Sequence, residues 1–523
     1  MPSSTKVHLA LLIHGLWGCP AHLRVAKEEL EAAWVAAHPA QVHAVPADSQ
    51  VSGPAEDPVI TKTLKTSSSP SSSSSHAQSH AQSHAGVEED GDGEELVIMI
   101  AGGMTSQLTY DGIDVCASRV AWEVDEKVKE LESQHKLVVK FSVTGYSLGG
   151  LVARYLIGLL HSRSPSFFDT HKPISFSTLS SPHYGIPRYN TLLSTLLCWL
   201  GARIMSRSGE QLYVVDKYSE DDPRPLLEIM ADPRSVFYHG LEKFERLSLF
   251  AAAINDNSVP YPTAAIETVD HFAQWQNQGL VVDCDEAGMI RSWSRGEDEE
   301  GQEDDDYNGK VKANGDGDGD GKGRGRGRPV KKSLGTYIGT LPPVLRYRFP
   351  FNYVIILLFP IMLPIVLCLI LARQSLDTSR SKRRLQQLAQ TSSSTFTASQ
   401  TPITSSASGL SIQHLRNTVR RIERNIESEF IENADGPSLD IYNNSTPLQQ
   451  VVIKAQLKDS QLRMALWLNQ LPFKKYLTWW PEITNAHATA IVRDAHLFPQ
   501  HERGRGMLKF WAKVMLGQAT NVS

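Results

Sequence analysis

The sequence predicts an α/β fold, a mostly parallel sheet flanked by helices. Two observations predict it. Short β-type apolar runs alternate with longer helix-like stretches through the first third of the chain, the pattern of strands joined by helical crossovers. A β-rich run, Leu137–Thr144, also passes through a glycine-flanked turn straight into a helix-forming run, Leu151–Leu160.

Taken in order, Val7–Ile13 is a buried strand. It is too short for a secretory signal, runs directly into His14-Gly15, and no small-residue cleavage site follows. Ala21–Ala37 reads as a helix, Leu96–Ile100 as a second strand and Val115–Leu131 as a helix. Leu137–Val143 is a third strand, followed by a helix over Leu151–His161. Ile174–Leu179 and Leu247–Ile254 are further strands, and Thr478–Ile483 reads as a last one.

Bulk composition narrows the function. A net charge of −5 over 523 residues sets up no basic field to recruit nucleic acid. Five scattered cysteines without a C-x-x-C suggest neither a disulfide framework nor a zinc site, and fit a reducing, cytosol-facing location. No cofactor motif is present. Thr66–His84, Glu297–Asp306, Gly315–Arg328 and Ser392–Ser408 are low-complexity segments that cannot bury enough apolar area to offset their chain entropy. Asp316, Asp318 and Asp320 resemble the start of a calcium loop, but Gly327 stands where the bidentate glutamate belongs. The domain reading is a core over 1–290 with an insertion at about 50–93, then a linker over 291–340. A hydrophobic segment (345–373) and a Ser/Thr-rich linker with an amphipathic helix (374–445) follow, and 446–523 completes the core.

Tyr353–Ala372 is a twenty-residue run without a charge, long enough to cross a bilayer, with arginines and lysines on both flanks. Ile412, Leu415, Val419, Ile422, Ile426 and Phe430 form the apolar stripe of a basic amphipathic helix that either lies on lipid or packs on the domain. Met507–Leu516 allows the same two readings.

Gly145-Tyr146-Ser147-Leu148-Gly149 is a G-x-S-x-G in strand–turn–helix context. Such a turn needs small residues at both glycine positions and lifts the serine hydroxyl to the top of the sheet, which makes Ser147 the candidate nucleophile of an α/β-hydrolase fold. A serine needs a base for its proton and two N–H donors for the oxyanion. Leu148, just after the serine, and Leu16, in the His14-Gly15-Leu16-Trp17-Gly18 turn after the first strand, are the candidate donors. His14 reads as a structural hydrogen bonder. The fold's chain order is serine, acid, histidine. Asp256, in the loop after Leu247–Ile254, is the candidate acid, with Asp270 and Asp283 as alternatives. His487, after the last strand, is the candidate base, with His271, His496 and His501 as alternatives.

Several motifs together resemble the fungal serine esterase (DUF676) lipase family. They are His14-Gly15-Leu16-Trp17-Gly18, Thr109-Tyr110-Asp111-Gly112-Ile113-Asp114, Gly145–Leu151, Ser181-Pro182-His183-Tyr184-Gly185, Asn255-Asp256 with Val259-Pro260, and His487 before Ile491-Val492-Arg493. The family includes yeast lipid-droplet phospholipase and monoacylglycerol lipase members, so the resemblance implies lipid ester hydrolysis without a metal or cofactor. An inactive lipid-binding or tethering protein and an acyltransferase are the rival readings.

The apolar run tests this assignment, because Ser147 and Asp256 precede it and His487 follows it. A single crossing would divide the three between compartments. Pro360 and Pro364 each remove a helical N–H and bend the chain. The expectation is a hairpin or shallow insertion with both ends cytosolic, at a lipid droplet or the endoplasmic reticulum.

Overall fold

A computed structural model describes residues 4–39, 94–189, 192–273, 275–277, 279–295, 372, 375–388 and 457–518. β1 (Thr5–Ile13), α1 (Arg24–Ala37), β2 (Glu95–Ile100), α2 (Ile113–Ser133), β3 (Lys136–Tyr146) and α3 (Leu148–His161) follow the sequence-based order closely. Next come α4 (Phe167–Thr170), β4 (Lys172–Leu179), α5 (Leu192–Ile204), α6 (Ser206–Leu212), α7 (Leu226–Ala231), α8 (Val236–Glu242), β5 (Arg246–Ala252) and α9 (Tyr261–Ala265). A hairpin, β6 (Leu280–Cys284) and β7 (Ile290–Arg295), precedes a helix α10 over 375–388. α11 (Asp459–Leu468), β8 (Phe473–Thr478), α12 (Ala486–Thr489) and α13 (Arg505–Met515) complete the described chain.

The six-stranded sheet has the order β2-β1-β3-β4-β5-β8, and every pairing is parallel. This is the α/β-hydrolase class of architecture expected from the sequence. The sheet is buried on both faces, as parallel sheets are. In β1, Leu9, Leu11 and Ile13 join the cluster that includes α2, α3 and α8, while Ala10 and Leu12 join the opposite cluster beneath α1 and α13. The chain reverses direction across the sheet between β1 and β3, so the loops after these two strands diverge. The crevice they leave at the carboxyl ends is where open α/β sheets bind ligands.

One sequence reading changes and an open one is resolved. The last strand is Phe473–Thr478, not Thr478–Ile483. Pro481 has no N–H for a ladder, whereas Phe473–Thr478 pairs residue for residue with Leu247–Ala252. Lys475 of this strand reaches out to Glu267 at 2.6 Å. Met507–Leu516 belongs to α13, which packs on the domain: Met507, Leu508, Trp511 and Met515 are buried beside α1, and Arg505 pairs with Glu29 at 2.6 Å.

The chain divides into two compact units, 1–295 with 375–523, and 296–374. Most of the Tyr353–Ala372 run, the 412–430 helix and the 316–327 loop lie outside the described residues, so the hairpin expectation falls there too. Among the described residues no helix is long and apolar enough to cross a membrane.

His8 and His14 sit in this core, and burial pushes their pKa values down to about 3 and about 4. Both are neutral when folded and charge on unfolding below 6.5. Acid therefore favours the unfolded chain, and stability falls as pH drops from 6.5 toward those values. Each group should contribute a slope of about 1.4 kcal/mol per pH unit. Urea unfolding between pH 7 and 4.5 should show the slope, and His8→Gln should flatten it by about one such contribution.

Candidate active site

The site begins with a turn that the local sequence can only just make. Ser147, between β3 and α3, has φ 56° and ψ −126°, a strained conformation for a residue with a side chain. Two close approaches explain the flanking glycines. A Cβ on Gly145 would lie 2.4 Å from the Gly149 carbonyl oxygen, and one on Gly149 would lie 2.2 Å from the Ile13 carbonyl oxygen. The Ser147 N–H is tied to the Leu179 carbonyl at 2.9 Å. The turn is thus clamped between β1 and β4, with its hydroxyl at the β1/β3 crevice.

His487 approaches from α12. Its Nε2 is 3.1 Å from Ser147 Oγ, and its Nδ1 is 2.9 Å from Asp256 Oδ2. Asp256 follows β5, and its other oxygen accepts the N–H groups of Ser258 (3.0 Å) and Val259 (2.8 Å). The two loops are stapled together. Ala486 N–H donates to Asn255 O, Asn255 Nδ2 to Trp480 O, and Asn257 Nδ2 to Thr484 O. Serine, histidine and carboxylate, widely separated in sequence, therefore form one continuous hydrogen-bonded chain. The Asp256 side chain is 1% exposed and that of His487 9%.

Both candidate donors lie close to Ser147. Leu148 opens α3, and first-turn N–H groups have no intrahelical partner. A Cβ on Gly15 would lie 2.7 Å from Ser147 Cβ, which puts the 15–18 turn against the serine. In that turn Gly18 N–H donates to Gly15 O at 3.0 Å and Trp17 N–H to Thr109 Oγ1 at 3.2 Å, so neither of these is the second candidate donor. His14 is fully buried, with Nδ1 3.1 Å from the Gly15 carbonyl.

The alternatives lie elsewhere. His496 is exposed, His501 accepts the Asp494 N–H, and His271 packs against Trp293. Asp283 is exposed on the β6–β7 hairpin. Asp270 lines a cavity that Asp256 also borders.

Sequence reasoning did not assign a role to Tyr146 or Arg493. Tyr146 Oη donates to the His487 carbonyl at 2.9 Å, and its ring lies 4.9 Å from the imidazole. Arg493 Nη2 donates to Tyr146 Oη, also at 2.9 Å. The residue before the serine therefore holds the histidine's backbone. Arg493 stood in a quoted motif, but nothing in its spacing signals this contact. The Thr109–Asp114 motif is likewise explained by buried carboxylates. Asp111 holds Arg119 (2.6 Å) and Arg384 of α10 (2.7 Å), and Asp114 holds Arg207 of α6 (2.7 Å).

A serine, a histidine and an aspartate joined at the crevice of a parallel α/β sheet is the arrangement that serine hydrolases use. Residues 70–268 match the family described as "Putative serine esterase (DUF676)". The match includes Ser147 and Asp256 but neither Leu16 nor His487. A protein of Schizosaccharomyces pombe named as a putative lipase is 33% identical over 128 residues, 24% of this chain and 16% of its own length. The putative lipase ROG1 of Saccharomyces cerevisiae is 29% identical over 185 residues, 34% of this chain and 24% of its own. A second Saccharomyces cerevisiae putative lipase is 30% identical over 150 residues, 28% of this chain and 22% of its own. The matched stretches thus span no more than a quarter of these relatives.

Tyr146→Phe should leave the fold intact while the His487 carbonyl and the Arg493 guanidinium lose their shared partner. Ester hydrolysis should fall roughly tenfold in kcat with little change in KM. A loss confined to KM would contradict the positioning role.

Proposed function

We propose that the chain hydrolyses lipid esters by two-step acyl transfer at a lipid surface. The observation that carries the reading is the 3.1 Å and 2.9 Å hydrogen-bond chain from Ser147 through His487 to Asp256. In the acylation step His487 Nε2 takes the Ser147 proton as Oγ attacks the ester carbonyl carbon. Asp256 holds the Nδ1–H and stabilises the imidazolium. The N–H groups of Leu16 and Leu148 hold the tetrahedral oxyanion. Collapse breaks the ester C–O bond, and the imidazolium proton passes to the departing alcohol. Water then attacks the acyl-serine with His487 again as base, releasing a fatty acid and restoring Ser147.

Several features support work at a lipid surface on the cytosolic side, a lipid droplet or the endoplasmic reticulum. The Ser147–His487 contact requires that the chain before and after Tyr353–Ala372 share one compartment. The described residues of α10 lie close behind that run in the chain. Its inner face, Asp377, Thr378 and Ser381, is buried, while Leu376, Arg380, Lys382 and Arg383 are exposed. Arg384 fixes α10 to Asp111 and to the Gln107 carbonyl. The same 106–110 turn holds Trp17, a residue 52% exposed whose indole N–H reaches Tyr110 Oη at 2.6 Å. A basic helix face and an exposed tryptophan thus flank the turn that carries Leu16.

Ser147→Ala should lower lipid and soluble ester hydrolysis by on the order of 10^4-fold or more. It should also abolish labelling by a fluorophosphonate probe, and persistent labelling would rule out this nucleophile. Replacing Arg380, Lys382 and Arg383 together by Glu should weaken sedimentation with anionic vesicles and slow vesicle hydrolysis, most at low salt. Hydrolysis of a soluble short-chain ester should not change. Unaltered vesicle binding at low salt would remove α10 from the lipid contact.

A further inference from the structure

A cavity of about 380 Å³ opens beside the acid end of the hydrogen-bonded chain. Asp256 forms part of its wall, so it lies one imidazole away from Ser147. Its other walls include Asp270, Tyr189, Tyr261, Phe272 and Trp275. Its volume sits at the small end of ligand pockets, a size for a compact polar group rather than a long acyl chain.

Asp256 is fully engaged by His487 and two backbone N–H groups. Asp270 is not. One of its oxygens accepts the Phe272 N–H at 3.1 Å, and the Ala273 N–H also points at the carboxyl. Among the described residues no lysine, arginine or histidine pairs with it. Burial accordingly raises its pKa to about 6, so it is largely ionised at neutral pH without a cation to balance it. Tyr261 and Phe272 meet edge to face, centroids 4.9 Å apart at 86°, and set two nearly perpendicular aromatic walls. Trp275 adds another, backed by Trp479 at 5.2 Å.

An unbalanced carboxylate among aromatic rings is the chemistry that recognises ammonium groups. A phosphate or sugar acid would be repelled, and a neutral alkyl group would strand the charge. We propose that this cavity is the subsite for the cationic amine head group of a glycerophospholipid. The inference rests on the esterase reading above. The head group hangs from the same glycerol as the reacting ester, so its subsite must adjoin the groups that perform the reaction. This cavity does.

The test compares kcat/KM of the full chain on phosphatidylcholine, phosphatidylethanolamine and phosphatidylglycerol of identical acyl chains in mixed micelles. p-Nitrophenyl butyrate serves as a head-group-free ester. The unaltered protein should prefer the two amine lipids. Asp270→Asn, which keeps the backbone hydrogen bonds, should shrink that preference roughly fivefold or more through KM and leave butyrate hydrolysis unchanged. Phosphocholine should inhibit phosphatidylcholine hydrolysis competitively, and glycerol phosphate should not; this arm decides the matter should the variant not fold. Equal rates on all three lipids, or a variant that slows all three alike, would overturn the subsite while the esterase reading stands. Absence of butyrate hydrolysis by the unaltered protein would instead bring down the esterase reading, and the subsite with it.

Discussion

The close approach of α3 to the sheet is the constraint on which the rest depends. Gly149 lies against the Ile13 carbonyl, and Gly145 against Gly149 itself. Only that contact allows β3 to turn at Ser147 with a positive φ and still enter a helix at Leu148. Strain of this kind costs roughly 1–3 kcal/mol and persists only where the surroundings over-determine it. Here the surroundings are the buried β1 and β4 on either side, with the α3 face Leu151, Val152, Tyr155 and Leu156 packed into the larger core. One contact therefore fixes the serine hydroxyl, the first N–H groups of α3 and the spacing to the turn after β1.

The loops after the strands divide the remaining work. The loop after β5 offers Asp256 as a preset acceptor, already bound by Ser258 and Val259 before His487 is counted. The loop after β8 brings His487 on a helical turn capped by Asn485. Tyr146, one residue before Ser147, then holds the His487 backbone from β3. The proposed base is thus referenced to the same strand end as the proposed nucleophile, so small shifts of the β8 loop would not easily separate the two.

Much of this was legible in the sequence, and the reason is locality. Val7–Ile13 and Leu137–Val143 announce themselves because a strand buried on both faces is continuously apolar. Ser147 stands out because the turn demands glycines at fixed offsets. Asp256 and His487 followed from chain order and from the loops expected after late strands. The helices between β4 and β5 did not stand out, because their short apolar runs have neither strand spacing nor length. β8 was misplaced for a similar reason. It is an edge strand, half-exposed, whose lysines hide its pairing with β5. Tyr146 and Arg493 could not be read at all, since their contact joins residues 347 apart in the chain.

The β5–β8 ladder has a consequence for how the molecule is held together. The chain through the loop after β5 carries the serine and the acid; the chain from β8 onward carries the histidine. These halves are joined by six parallel residue pairs, by the asparagine staples and by α13 lying against α1. None of these links depends on the covalent thread that runs between the halves. The reacting groups are thus kept together by a strand ladder and loop contacts, not by nearness along the chain.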